Sequence, residues 1–101
     1  MKHIRVEFHP LARAELRKEV QFYASRARGL ARSLRDEIQT VLDLLAEVPL
    51  AGQEQRTGVR GIPIRRFPFT VFYRAEAGRV YVLAVAHQRR EPGYWLERME
   101  E

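Results

Sequence analysis

The chain opens on an alternation. Ile4, Val6 and Phe8 interleave with His3, Arg5 and Glu7, which predicts a half-buried strand over His3–Phe8. Pro10 follows and suits the first turn of a helix, where its missing N–H interrupts no bond. Leu16, Val20, Tyr23 and Ala27 then recur at three- and four-residue spacing, the mark of a helix with one buried face. Gly29 breaks the stripe. Leu30, Leu34, Ile38, Val41, Leu42 and Leu45 form a second stripe, closed by Pro49. Gly29 and its Arg-rich neighbours therefore predict the turn of a helical hairpin.

After the hairpin the period changes. Leu50 to Gly58 is polar and contains Gly, so a loop is expected. Val59–Arg66 predicts a strand, with Pro63 arguing for an edge position or an irregularity. Phe69–Ala75 predicts a better one, with Phe69, Val71 and Tyr73 on one face and Thr70, Phe72 and Arg74 on the other. Glu76-Ala77-Gly78-Arg79 reads as a hairpin turn. Val80–His87 is almost wholly apolar, as a central strand covered on both faces should be. A short helix is expected over Pro92–Met99. The order is β-α-α-β-β-β(-α): an α+β fold with a helical hairpin on a roughly four-stranded, mostly antiparallel sheet. The hairpin supplies the crossover that returns the first strand to the sheet. No repeat interrupts this order, and 101 residues make one domain over 1–101.

Composition narrows the chemistry. Cysteine is absent, which excludes a disulfide scaffold, a zinc ribbon and a thiol nucleophile. No apolar run approaches the roughly 20 residues of a transmembrane helix, and no apolar core of a signal peptide opens the chain. A soluble, cytoplasmic protein without membrane contact is expected. His3, His9 and His87 show no metal-ligand spacing, so neither a metal nor another cofactor is expected. Ser25 and Ser33 lack a nucleophile-elbow context. Glu15 and Glu19, one turn apart beside Arg17 and Lys18, read as surface ion pairs.

Charge is unevenly spread. The formal net charge is +5, and 16 of the 18 basic residues are Arg. Residues 56–90 carry eight Arg and one acid, Glu76, for a net +7, whereas residues 1–50 nearly balance. Arg suits bidentate contact with phosphate or carboxylate. On the last strand, period two places Tyr81, Leu83, Val85 and His87 on one face, and Arg89 continues it if the strand runs on. Arg65, Arg66 and Arg74 come from neighbouring strands, although Arg65 and Arg66 should point to opposite faces. Tyr94 and Trp95 follow. Such a set suits phosphodiester binding and base stacking. It also suits metal-free RNA cleavage, with His87 or Tyr94 exchanging protons and Arg stabilising the transition state. Each residue has a plainer reading: His87 as a bonded strand-end residue, Tyr94 and Trp95 as cover for the sheet, Arg74 as an ion-pair partner.

The chain resembles the RelE/ParE superfamily of toxins from type II toxin–antitoxin systems. The resemblance runs from Val6-Glu7-Phe8-His9-Pro10 through Ala12–Leu16, Phe22-Tyr23, Pro49 with Gly52, and Val59-Arg60-x-x-Pro63. It continues through Arg66-Phe67-Pro68-Phe69-x-Val71-x-Tyr73-Arg74 and Val80–Arg90 to Tyr94-Trp95. It implies a plasmid-stabilisation type toxin that inhibits growth and is neutralised by a cognate antitoxin. RelE-like members cleave mRNA on the ribosome; ParE-like members inhibit DNA gyrase. On the RelE-like alternative the catalytic set is Arg74, His87, Arg89 and Tyr94, with Arg60, Arg65, Arg66, Arg90 and Trp95 binding nucleic acid or partner. The central loop lacks the Lys pair of ribosomal nucleases, and His87-x-Arg89-Arg90 looks ParE-like. The resemblance thus leans towards gyrase. A non-toxic nucleic-acid-binding module is a further alternative. Apolar positions on the hairpin are compatible with a homodimer or with a hetero-oligomer with antitoxin.

Overall fold

The computed structural model describes residues 4–100, without the side chains of Arg56 and Glu100. The start of the expected first strand at His3 therefore lies outside the described residues. β1 (Arg5–Phe8) leads into α1 (Pro10–Arg26). His9, 1% exposed, caps α1: its Nδ1 accepts the Leu11 N–H at 3.0 Å, satisfying a donor that the helix leaves open. α2 (Arg28–Glu47) follows at once. The break between the helices is Ala27, a single extended residue at φ −158°, ψ 139°, and not Gly29 as expected. Gly29 lies in the first turn of α2 with no atom within 4 Å of an added Cβ. The Ala27 N–H still bonds Tyr23 O at 3.1 Å and its carbonyl accepts from Leu30 N at 3.1 Å, so one residue ends one helix and starts the next.

The sheet has five strands, in the order β1-β5-β4-β3-β2. The added one is β2 (Gln53–Arg56), within the expected loop. It joins β3 (Val59–Pro63) through Thr57 and Gly58, at φ 52° and 79°. Two successive positive φ values match the twist of a tight hairpin. β4 (Phe69–Glu76) and β5 (Arg79–His87) complete the sheet. β1 pairs parallel with β5, and every other pairing is antiparallel. β3 ends at Pro63 rather than Arg66, and β2 covers it only from Val59 to Gly61. Pro63 thus sits beyond the reach of β2, where its missing N–H costs no ladder bond on that side.

The helices cover one face. Leu34, Ile38, Val41 and Leu45 of α2 meet Phe69, Val71, Tyr73, Val80 and Val82. The other face is covered by a 3-10 helix, η1 (Tyr94–Glu100), whose Trp95 lies with Val59, Leu83, Ala84 and Ala86. The expected C-terminal helix thus forms with tighter winding. β5 is covered on both faces. No helix among the described residues is long and apolar enough to cross a membrane.

One irregularity reassigns the faces of β5. Phe72 faces Ala84 and Tyr73 faces Val82, so Leu83 is skipped. A bulge of this kind inverts the alternation beyond it. Tyr81 and Leu83 lie on the η1 side, with Ala84 and Ala86 after them, whereas Val85 is in the helix-side core. The expected single row of Tyr81, Leu83, Val85 and His87 does not exist. His87 pairs with Phe69 on the helix side, their rings edge-to-face at 5.4 Å.

Candidate functional site

The bulge also determines where the C-terminal segment is tied. β1 ends at Phe8, opposite Val82, so the next stretch of β5 lacks a strand neighbour on that side. Glu15 of α1 fills the gap. Its carboxylate accepts the Val85 N–H at 3.0 Å, the Tyr94 hydroxyl at 2.7 Å and both terminal nitrogens of Arg98 at 3.0 and 2.9 Å. Arg98 also donates to the carbonyl of the skipped Leu83 at 2.8 Å. Glu15 and Arg98 side chains are 17% and 10% exposed, so both ends of the pair are nearly out of water. This is a strap between α1, the bulge and η1, not the surface pair expected of Glu15. The hint in the sequence is slight: Glu15 falls one turn after Ala12, which is fully buried.

Tyr94 is locked into the strap. Arg90 stacks over its ring at 3.7 Å and Arg98 lies 5.1 Å from it. Burial raises its pKa above 10.0, the hydrogen bond to Glu15 and the charge of Glu15 raise it further, and Arg90 and Arg98 pull back in part. A phenol so held keeps its proton, which it shares in a hydrogen bond with Glu15, and does not act as a base near neutrality. Trp95 is 3% exposed and stacks on Phe72 at 4.9 Å.

The other expected residues scatter. Arg74 is on the η1 side, donating to Met99 O at 3.1 Å and pairing with Glu76 at 2.8 Å. Its Nε is buried with no partner among the described residues. Arg60 donates to Gly52 O at 2.8 Å. The strand ends at His87, so Arg89 does not continue a face; it is exposed, and its N–H bonds His87 Nδ1 at 3.0 Å. Arg65 and Arg66 lie past the end of β3, both exposed, with Arg66 at φ 63° and ion-paired to Glu37. Neither belongs to a strand, so the expectation of opposite sheet faces does not apply. A pocket of about 150 Å³ brings His87, Arg90, Tyr94 and Trp95 together with Thr70 and Phe72. Arg60, Arg65, Arg66, Arg74 and Arg89 do not line it. Among the described residues no group of three or more His, Asp or Glu could hold a metal ion.

Residues 6–92 match the family model of the ParE toxin of type II toxin–antitoxin systems, parDE. The chain belongs to the ParE toxin family. It is a toxin of a type II toxin–antitoxin system. The ParE match takes in the bulge, Glu15 and most of the 150 Å³ pocket, and stops at Pro92, before Tyr94 and the rest of the strap. One similar solved structure is the chromosomal ParDE system of P. aeruginosa, with TM-score 0.60, 15% identity, and coverage of 84% of this chain and 96% of that one. Another is the RelBE2 toxin–antitoxin complex of Mycobacterium tuberculosis, with TM-score 0.60, 25% identity, and coverage of 86% and 93%. The likeness of this ParE-family chain to both is that of the whole α+β fold. No curated protein matches the sequence.

Proposed function

We propose that this ParE-family toxin acts on DNA gyrase, in the cytoplasm, and is held inactive by its cognate antitoxin. One observation carries the choice against mRNA cleavage: the Tyr94 hydroxyl is bonded to Glu15 at 2.7 Å, with its pKa pushed up. Metal-free RNA cleavage needs a base that takes the 2′-OH proton and an acid for the leaving oxygen. Tyr94 is unsuited to the first. His87 packs on Phe69 from the helix side, while Arg74 is bound to Met99 and Glu76 on the opposite side. His87 and Tyr94 share the 150 Å³ pocket, but Arg74 and Arg89 do not line it, so the four do not form one set around a phosphate.

The reading is tested by adding the purified full chain to gyrase and relaxed plasmid. Supercoiling should stop, and antitoxin added in equal amount should restore it. RNA from cells expressing the toxin should show no new cleavage ends. Intact supercoiling at high excess of toxin, together with new mRNA ends, would reverse the assignment in favour of a RelE-like nuclease.

A further inference from the structure

Part of the positive charge concentrated in residues 56–90 is answered by carboxylates inside the fold. Arg66 pairs with Glu37, Arg74 with Glu76, Arg79 with Glu7 and Glu76, and Arg90 with Glu15. A second concentration of charge lies on the helical hairpin, and there no carboxylate among the described residues answers it. Residues 20–35 contain four Arg and no acid. Arg26, Arg28, Arg32 and Arg35 are all exposed. Arg26 lies over the Phe22 ring at 4.7 Å. Among the described residues, none of the four reaches a carboxylate.

Stability does not explain this arrangement. Arg28 is the first residue of α2, whose first turn carries no acid and whose cap makes no side-chain bond. Cations at that end oppose the helix dipole. A local rule broken without a compensating contact points to a role outside the fold.

We propose that Arg28, Arg32 and Arg35 form a contact ridge for the phosphate backbone of duplex DNA. Their spacing of four and three residues puts them on one side of α2. At 1.5 Å per residue the ridge is roughly 10 Å long. A DNA strand presents a charge about every 3.4 Å along its axis, so the ridge spans about three phosphates. Each guanidinium can grip one phosphate bidentately. The ridge ends where Asp36 and the bonded pair Gln39–Asp43 begin. An acidic amphipathic peptide needs apolar anchors on the same side, and Leu30 points away from the ridge by its position two residues after Arg28. Single-stranded RNA needs open aromatic faces, and Phe22 is covered by Arg26. The inference stands independently of the gyrase reading, since its test reads DNA binding by the chain alone.

The test is fluorescence anisotropy of the full chain against a random-sequence duplex DNA of about 20 base pairs, a single-stranded RNA of equal length and a poly-glutamate peptide. Duplex DNA should bind most tightly, with affinity falling as salt rises. R28Q/R32Q/R35Q should lose about tenfold or more at low salt and flatten the log–log salt slope by about 3, near 1 for each phosphate contact removed. R5Q/R13Q/R17Q removes the same charge from exposed positions elsewhere and should flatten the slope by less than about 1. R28K/R32K/R35K should keep most of the slope, and circular dichroism should show all variants folded. Equal losses in the two Gln triples, no loss in either, or equal binding of RNA or poly-glutamate would overturn the proposal.

Discussion

Glu15→Gln tests the strap that holds η1 against the sheet. Gln keeps the size and one acceptor oxygen, so it removes the charge with little change in shape. Arg98 then keeps its bond to Leu83 O but loses its counterion while 10% exposed. Removing one partner of a buried pair costs about 3–5 kcal/mol. The remaining exposure of Glu15, 17%, places this pair at the low end, near 3 kcal/mol. With a urea slope of about 1.5 kcal/mol per molar, the midpoint should fall by about 2 M. Trp95 is the sole tryptophan and rides on η1, so its fluorescence reports the segment itself. In the variant the Trp95 transition should come at lower urea than loss of far-UV helical signal. A cycle with Arg98→Met should give a coupling of about 1–3 kcal/mol. A loss under about 0.5 kcal/mol with additive single changes would show that the strap contributes no stability.

Three further outcomes follow from the same geometry. Gly52→Ala should destabilise by about 2–3 kcal/mol in urea melts, because an added Cβ would lie 2.8 Å from both Cε1 and the hydroxyl oxygen of Tyr73. Tyr73→Phe should cost about 2 kcal/mol, since the hydroxyl donates to Pro49 O at 2.7 Å and accepts Gly52 N–H at 2.8 Å. Tyr94 has its folded pKa raised above 10.0, so its protonated form is favoured in the folded state. Its contribution is complete below pH 10 and is lost as pH rises beyond it. Thermal melts from pH 8 to 11 should show wild type losing more stability at the alkaline end than Tyr94→Phe, and parallel curves would refute the assignment.

The strands and helices that bury one side were readable in order. Leu34, Ile38, Val41 and Leu45 repeat with the helix, and Phe69, Val71 and Tyr73 alternate with the strand, because burial on one face imprints a local period. β2 was not readable: Gln53–Arg56 is polar throughout, and its pairing is supplied by β3 and a Thr-Gly turn. The fold class and the toxin family thus lay in the pattern itself. The site lay there only as a set of residue types. His87 and Tyr81 share a strand, yet a skipped Leu83 sets them on opposite sides. Likewise, eight Arg in one stretch suggested a basic working face, but Glu7, Glu15 and Glu37 reach three of them, Arg79, Arg90 and Arg66, from β1, α1 and α2. An ion pair depends on distance in space, which no local period records. Sequence determined how much charge the protein carries and which segments hide from water; tertiary structure decided which of those charges still face outward.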